Sequence, residues 1–409
     1  MKKLHLFEGF GVELEYMIVD RTTLDVRPVT DKLMHYKCGA YRDEWENGAI
    51  SWSNELALHV FELKTNGPAP VLNGLAAFFH DNIREANTLL EARNARLMPG
   101  AMHPWMDPHT ELRLWPHEHN LIYDMYNRIF DCRGHGWANL QSTHLNLPFG
   151  NDREFGRLHA AIRLVLPLLP ALAASSPVMD GRLTGWADNR LQVYKDNQKR
   201  IPSIAGRVIP EPVFTRRDYR RRILARNYAD IAPHDPEGIL QDEWLNSRGA
   251  IARFQRGAIE IRVLDVQECP LADIALLKVI VQAVRDLVDE RHAPYADQKK
   301  WDVDPLHAIY QDGVRDGSRQ MVENPAYLRL FGLQRDKMRA SSVWETVMER
   351  TPDMDDAEKE YLQMALREGN LSARIQKALG SKPGKGELSN VYGKLTRCLH
   401  ENVPFFCDL

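Results

Sequence analysis

Glu13 and Glu15 stand one residue apart in EGFGVELEY (residues 8–16), a run that continues through Met17, Ile18 and Val19. Side chains on a strand alternate faces, so the two carboxylates share one face while Val12, Leu14 and Tyr16 share the other. At about 7 Å, the spacing of one pleat, two carboxylates repel unless a cation lies between or beside them. Hard oxygen donors select magnesium or manganese for that role. A solvated surface strand would carry the same Glu-x-Glu pattern, so the reading depends on what the rest of the chain supplies.

Three other strand-like segments set polar side chains among apolar ones: Glu55 with Glu62, His144 with Asn146, and Glu260 with Arg262. A lone buried carboxylate costs several kcal/mol, so carboxylates on inward strand faces need cations or donors. Five carboxylates, an imidazole and a guanidinium converging on one sheet face would suit two or three magnesium ions holding a polyphosphate, with manganese as the substitute. Arg262, on the face of Glu260, would meet a transferring phosphate as a planar donor fork. Each piece has a plainer reading. His144 alone suits a hydrogen-bonded core histidine, Glu260–Arg262 a ladder ion pair, and Glu55 a turn or helix start after Asn54. No GxxxxGK[ST] loop is present, so ATP would be held through metals on a sheet.

The elements that must position these groups are legible in outline. Residues 10–20, 54–65, 140–147 and 258–266 read as strands or strand pairs. Apolar residues at helical spacing predict helices over 71–98, 152–175 (kinked by Pro167 and Pro170) and 271–289. Beyond residue 300, helices are expected near 305–321, 342–350, 355–368 and 371–379, with Gly369 and Gly380 as C-caps. Mixed strands and helices without strict alternation predict an α+β fold on an antiparallel sheet. The expected division is a catalytic core over 1–300 and a helical region over 301–409.

The 409 residues carry a formal net charge of −3, with 44% hydrophobic and 27% charged residues. That balance gives no global push toward nucleic acid or membrane. The opening MKKLHLFEGF lacks the pattern of a secretory leader. Cys38, Cys132, Cys269, Cys398 and Cys407 are scattered without CxxC spacing, which predicts a reducing cytoplasm rather than a disulfide framework or zinc knuckle. A homo-oligomer stays open.

Taken together, GVELEYMIVD (11–20), NELALHVFELKTNGP (54–68), QSTHLNLPF (141–149), ALAASSP (171–177) and GAIEIRVLDVQ (257–267) resemble the glutamate–cysteine ligase family, in particular its carboxylate–amine ligase branch. The order and spacing of the set carry the resemblance, over residues 9 to about 289. It implies the glutamine synthetase-like fold, a curved antiparallel sheet funnel packed by helices, with ATP at one mouth. It further implies a small carboxylate substrate, glutamate, whose γ-carboxylate is activated by ATP and joined to an amine such as cysteine. By position, Glu13, Glu15, Glu55, Glu62, His144 and Glu260 become magnesium ligands. Arg262 and Glu55 become the candidate catalytic residues, and Arg253, Arg256, Arg262 and Asn146 candidate nucleotide contacts. The family pattern places a second histidine where this chain has Asn146. The alternatives are a phosphotransferase of guanidino-kinase type on the same fold, or an inactive binding homologue.

Three further features have competing readings. RRDYRRRILAR (216–226) carries six arginines, which suit a solvated or acid-paired helix face, a phosphate or carboxylate contact, or, least of all, nucleic acid. His103–Pro104–Trp105 lies in a Gly/Pro-rich loop that either lines a cleft or packs a tryptophan. WADNRLQVY (186–194) mixes aromatic and polar residues suited to an amino-acid substrate.

Overall fold

A computed structural model describes residues 3–407; Met1 and Lys2 of the opening run lie outside the described residues. One antiparallel sheet of eight strands organises it: β1 (Gly11–Asp20), β2 (Glu44–Asn47), β3 (Ile50–Asn54), β4 (Val60–Thr65), β5 (Ala95–Met98), β6 (Ser142–Pro148), β7 (Ala250–Arg253) and β8 (Ala258–Asp265). The order is β2-β3-β4-β1-β6-β8-β7, and β5 pairs with the second half of β1. The α+β class and the antiparallel sheet are as the sequence predicts.

Register decides which residues meet. Glu13 lies opposite Lys64 of β4 and His144 of β6, Glu15 opposite Glu62, and Glu260 opposite Asn146. Because strands alternate, one face carries all of these polar groups. The other carries Val12, Leu14, Tyr16, Phe61, Leu63, Leu145, Leu147, Ile259 and Ile261, buried in one hydrophobic cluster with the helices Leu75–Leu90, Asp152–Val165 and Pro270–Val288. The same cluster takes in Leu306, Tyr327, Val343, Trp344, Leu362 and Leu399, so the chain after residue 300 packs into the core. Beyond Glu15 the polar face turns apolar. Met17, Val19 and Met98 pack there against Leu371, Ile375, Leu388, Tyr392 and Leu395 of the helices Leu371–Leu379 and Lys385–Glu401, which close that end.

Several expectations are corrected. The helix expected over 71–98 starts at Leu75, after Gly74 (φ 79°), and ends at Leu90. Asn94, in the left-handed region at φ 51°, then turns the chain so that Ala95–Met98 becomes a strand on β1. The 54–65 run is interrupted, so Glu55 lies in the connection between β3 and β4 rather than on a strand. The helix near 305–321 spans Val303–Asp316, and Met321–Val322 is a short strand paired with Met338–Arg339. The prolines act as expected: the 152–173 segment tightens into a 3-10 turn at Leu166–Leu168 around Pro167. That segment is long and apolar enough to cross a membrane, but it is almost wholly buried inside the protein. Gly369 (φ 105°) and Gly380 (φ 68°) do end helices.

Candidate active site

The acid and basic side chains of the polar face form one connected array. Glu13 accepts from His144 Nδ1 and from Asn146 Nδ2, each at 2.9 Å, one donor per carboxylate oxygen. His144 also lies 3.8 Å from Glu15 and 3.9 Å from Glu260, and its Nε2 shares a 2.9 Å hydrogen bond with the Ser142 hydroxyl. Burial works against a charged imidazole, but the Glu13 hydrogen bond and the surrounding carboxylates hold the His144 pKa up at about 9. Burial likewise opposes Glu13 ionisation, yet His144, Lys64 and Arg256 keep its pKa well below the usual carboxylate range.

Glu260 accepts from Arg253 Nη1 at 3.0 Å through one oxygen and from Arg262 Nε at 3.1 Å through the other, with a second, shorter bond from Arg262 Nη2. Burial raises its pKa, but Arg262 and the other cations bring it below normal. The opposite end of the array differs. Glu15, Glu55 and Glu62 bring carboxylate oxygens within 4.8 Å of one another, and carboxylate oxygens of Glu13 and Glu62 lie as close to each other and to a ring nitrogen of His144. Burial and then the neighbouring acids raise Glu62 to about 7 and push Glu55 well above its ordinary value. Glu62 accepts from the Ser53 hydroxyl and lies 3.6 Å from Lys64 Nζ. Glu15 accepts from the Ser142 amide at 2.8 Å.

Most residues singled out from the sequence therefore converge: Glu13, Glu15, Glu55, Glu62, His144, Asn146, Glu260, Arg262 and Arg253 lie within one array. Arg256 is exposed at the turn between β7 and β8, near enough to bias Glu13 but with no direct partner among the described residues. Lys64 was not anticipated, although it stands two residues from Glu62 in the same alternation and links Glu62 to Glu44 at 3.1 Å. Arg262 is aimed by a β-bulge: β8 steps from Ile261 to Leu264 while β6 steps only from Leu145 to Thr143. Arg190 Nη2 donates to the Arg262 carbonyl at 2.7 Å, and Arg190 Nη1 pairs with buried Asp265 at 3.2 Å. WADNRLQVY thus supports the bulge, with Tyr194 beside the Arg262 side chain.

The residues present fit divalent cations. Asn146 Oδ1 is buried without a hydrogen-bond partner, and the Glu55 carboxylate has none among the described residues. Three facing carboxylates form an oxygen-rich donor set suited to magnesium or manganese.

The model of glutamate–cysteine ligase family 2 matches residues 9–325. The chain belongs to that family. An uncharacterised protein of Archaeoglobus fulgidus is 30% identical over 400 residues, covering 97% of this chain and 99% of that one. A protein of Pseudomonas paraeruginosa with the provisional name glutamate–cysteine ligase 2 is 27% identical over 191 residues, 44% of this chain and 45% of that one. The fold is shared with the crystal structure of a Francisella tularensis glutamate–cysteine ligase in complex with AMP, at TM-score 0.62 and 12% identity over 98% of this chain and 90% of that one. Family and fold together support an ATP-dependent carboxylate–amine ligase.

The remaining features resolve into structure. Arg216 pairs with Asp152 at 2.8 Å, Arg221 with Asp218 at 3.2 Å and Arg226 with Asp230 at 3.7 Å, while Arg220 stacks over Phe254. His103 is buried and bonded to the Leu24 carbonyl, and Trp105 donates to Asp25 and packs near Tyr392.

Proposed function

We propose that this ligase activates the γ-carboxylate of glutamate with ATP as an acyl phosphate, then joins it to an amine such as cysteine, releasing ADP and phosphate. The single observation that carries the reading is the array itself: Glu13, Glu15, Glu62 and Glu260 interleaved with Lys64, His144, Arg253 and Arg262 on one sheet face, with Glu55 brought beside them by the β3–β4 connection. A site for a neutral ligand would have no use for it. A polyphosphate with its counter-ions matches both signs of charge.

The chain's residues then have distinct tasks. Arg253 and Arg262 present donor forks to phosphoryl oxygens, which compete with Glu260 for them. Arg262, held at its carbonyl by Arg190, is placed to stabilise the phosphoryl group in transit. Glu13, Glu15, Glu55, Glu62, His144 and Glu260 are the residues that would hold magnesium. When bound, magnesium neutralises phosphate charge and orients the chain of phosphates. The carboxylate oxygen of the substrate attacks the γ-phosphorus and ADP leaves. The amine nitrogen then attacks the acyl carbon, and phosphate departs with the oxygen that bridged it. Water would hydrolyse the acyl phosphate, and the burial of Glu15, Glu62 and Glu260 marks a site that excludes it. No enzyme nucleophile is required.

A coupled ADP-release screen over carboxylates and amines, with magnesium present, tests this reading. ADP release that requires both substrates, with amide formed in equal amount and Glu13→Gln inactive, is expected. ADP release with glutamate and a stable phosphorylated product would instead favour a phosphotransferase.

A further inference from the structure

Resting on the ligase reading, we propose that Val208, Gly249 and Arg190 are positioning residues for Arg262: they clamp its backbone from both sides, and the rate of the transfer step depends on that clamp.

Val208 is buried with φ at 66°. In that region a β-branched side chain crowds the neighbouring carbonyl, so valine rarely occupies it. Such strain persists only where the surroundings over-determine it. Here the Ile209 amide donates to the Arg207 carbonyl at 2.7 Å across Val208, closing a three-residue turn, and the Gly249 amide donates to the Val208 carbonyl at 2.7 Å. Glycine would take the same turn freely. The strain therefore comes with the valine side chain, and that side chain fills a particular place. A Cβ on Gly249 would stand 3.1 Å from Cγ1 of Val208 and 3.1 Å from Cγ1 of Val263, the residue after Arg262. Gly249 is gripped between two valines, and a methyl group there would force them apart. Arg248, next to it, donates to Glu211 through Nε and Nη2, each at 2.6 Å, which ties this segment to the one carrying Val208.

Gly249 passes the constraint on, because its carbonyl accepts from the Arg262 amide at 3.0 Å. The bulge makes that hold necessary. It sets Arg262 and Val263 against the single residue His144 of β6, so the ladder on that side is broken. Beyond the Arg262 side chain, Arg190 Nη2 donates to the Arg262 carbonyl at 2.7 Å. Arg190 is itself fixed: Nη1 donates to Asp265 at 3.2 Å, and Asp265 accepts from the Ser175 amide and the Ser176 hydroxyl, both at 2.8 Å. Tyr194, on the same short helix as Arg190, donates to the Ser247 carbonyl at 2.9 Å and joins the two halves of the clamp. Both backbone groups of Arg262 are thus held, and its guanidinium is left to Glu260.

Steady-state kinetics and hydrogen–deuterium exchange on the full chain test this, with Gly249→Ala, Val208→Ala, the double variant and Arg190→Lys. Gly249→Ala should lower kcat by about tenfold or more while the KM values for ATP and the carboxylate stay within about threefold. Val208→Ala alone should also lower kcat. Combined with Gly249→Ala it removes the colliding methyl group, so the double variant should turn over faster than Gly249→Ala. Arg190→Lys keeps a charge for Asp265 but shortens the reach to the Arg262 carbonyl, and should lower kcat with unchanged KM values. The Arg262 amide, isolated by electron-transfer fragmentation, should exchange faster in Gly249→Ala and Val208→Ala, while exchange in β1 and β6 stays as in the unaltered protein and shows that each variant is folded. Unchanged kcat in Gly249→Ala, losses that multiply in the double variant, or unchanged exchange at Arg262 would each overturn the proposal. If the unaltered chain forms no amide, the ligase reading fails alone and exchange at Arg262 decides this one. An active ligase whose Gly249→Ala variant keeps its kcat sinks this proposal alone.

Discussion

Glu62→Gln should make the metal-free protein more stable while abolishing its activity. Glu62 is buried among Glu13, Glu15 and Glu55, and burial followed by those charges lifts its pKa from 4.5 to about 7. At about 1.4 kcal/mol per pH unit, holding it ionised in the fold costs roughly 3 kcal/mol at pH 8. The sign follows from the direction of the shift. The folded state binds the proton more tightly than the unfolded chain, so this group favours folding fully below about pH 4.5, and that support disappears as pH rises through 7. Replacement by glutamine removes the ionisation cost and keeps an acceptor for Ser53. The attraction of Lys64 at 3.6 Å already lowers the pKa from which that cost is taken, so the figure includes it. The net gain is therefore about 3 kcal/mol at pH 8 and under about 1 kcal/mol at pH 5. For a chain of 409 residues, unfolding entropy of about 2 cal/mol/K per residue converts this to a rise in Tm of roughly 4 °C. Differential scanning fluorimetry in a chelator, at pH 8 and pH 5, reads it directly. Adding magnesium should stabilise the unaltered protein and do much less for the variant. A lower Tm for Glu62→Gln at pH 8 without metal would refute the picture of three mutually repelling carboxylates.

Other consequences are equally concrete. Arg262→Lys replaces the fork on Glu260 by a point charge and should lower kcat by about 100-fold with an unchanged circular dichroism spectrum; a loss under threefold would remove Arg262 from the transfer step. Arg374→Met strands Glu268, since both members of that pair are fully buried at 2.6 Å, and should cost about 3–5 kcal/mol in urea unfolding. His59 and His103, depressed by burial to about 4, and His159, depressed to about 3, bind protons only on unfolding. Their contribution is complete above about pH 6.5 and declines as pH falls toward those values, so His159→Phe should reduce the slope of stability against pH between 6 and 5 by about one proton.

The sequence made the site more legible than the scaffold around it. Glu13, Glu15, Glu62, His144, Asn146, Glu260 and Arg262 could be placed on one face because strand alternation is strict and each lies in an apolar run. Lys64 obeys the same rule, but a lysine on a strand is equally suited to a solvent-facing position, so its type alone does not mark it. The bulge at Arg262 leaves no mark in the alternation, and Arg190, which bonds to the Arg262 carbonyl and to Asp265 at its end, comes from a distant segment. Helix 71–98 was overextended because the apolar spacing of Ala95, Leu97 and Met98 suits either period, and only the left-handed turn at Asn94 separates them. Strands Glu44–Asn47 and Ala250–Arg253, and the helices Asn120–Phe130 and Lys385–Glu401, went unread. Their short or mixed patterns are settled by tertiary partners, as when β7 takes its register from β8.

Oxygen transfer from the substrate carboxylate tests the central claim most directly. With glutamate labelled by oxygen-18 in its γ-carboxylate, an acyl phosphate route moves one labelled oxygen into inorganic phosphate for each amide formed, detectable by the isotope shift in phosphorus-31 NMR. Phosphate released without label alongside amide would contradict activation of the carboxylate by ATP.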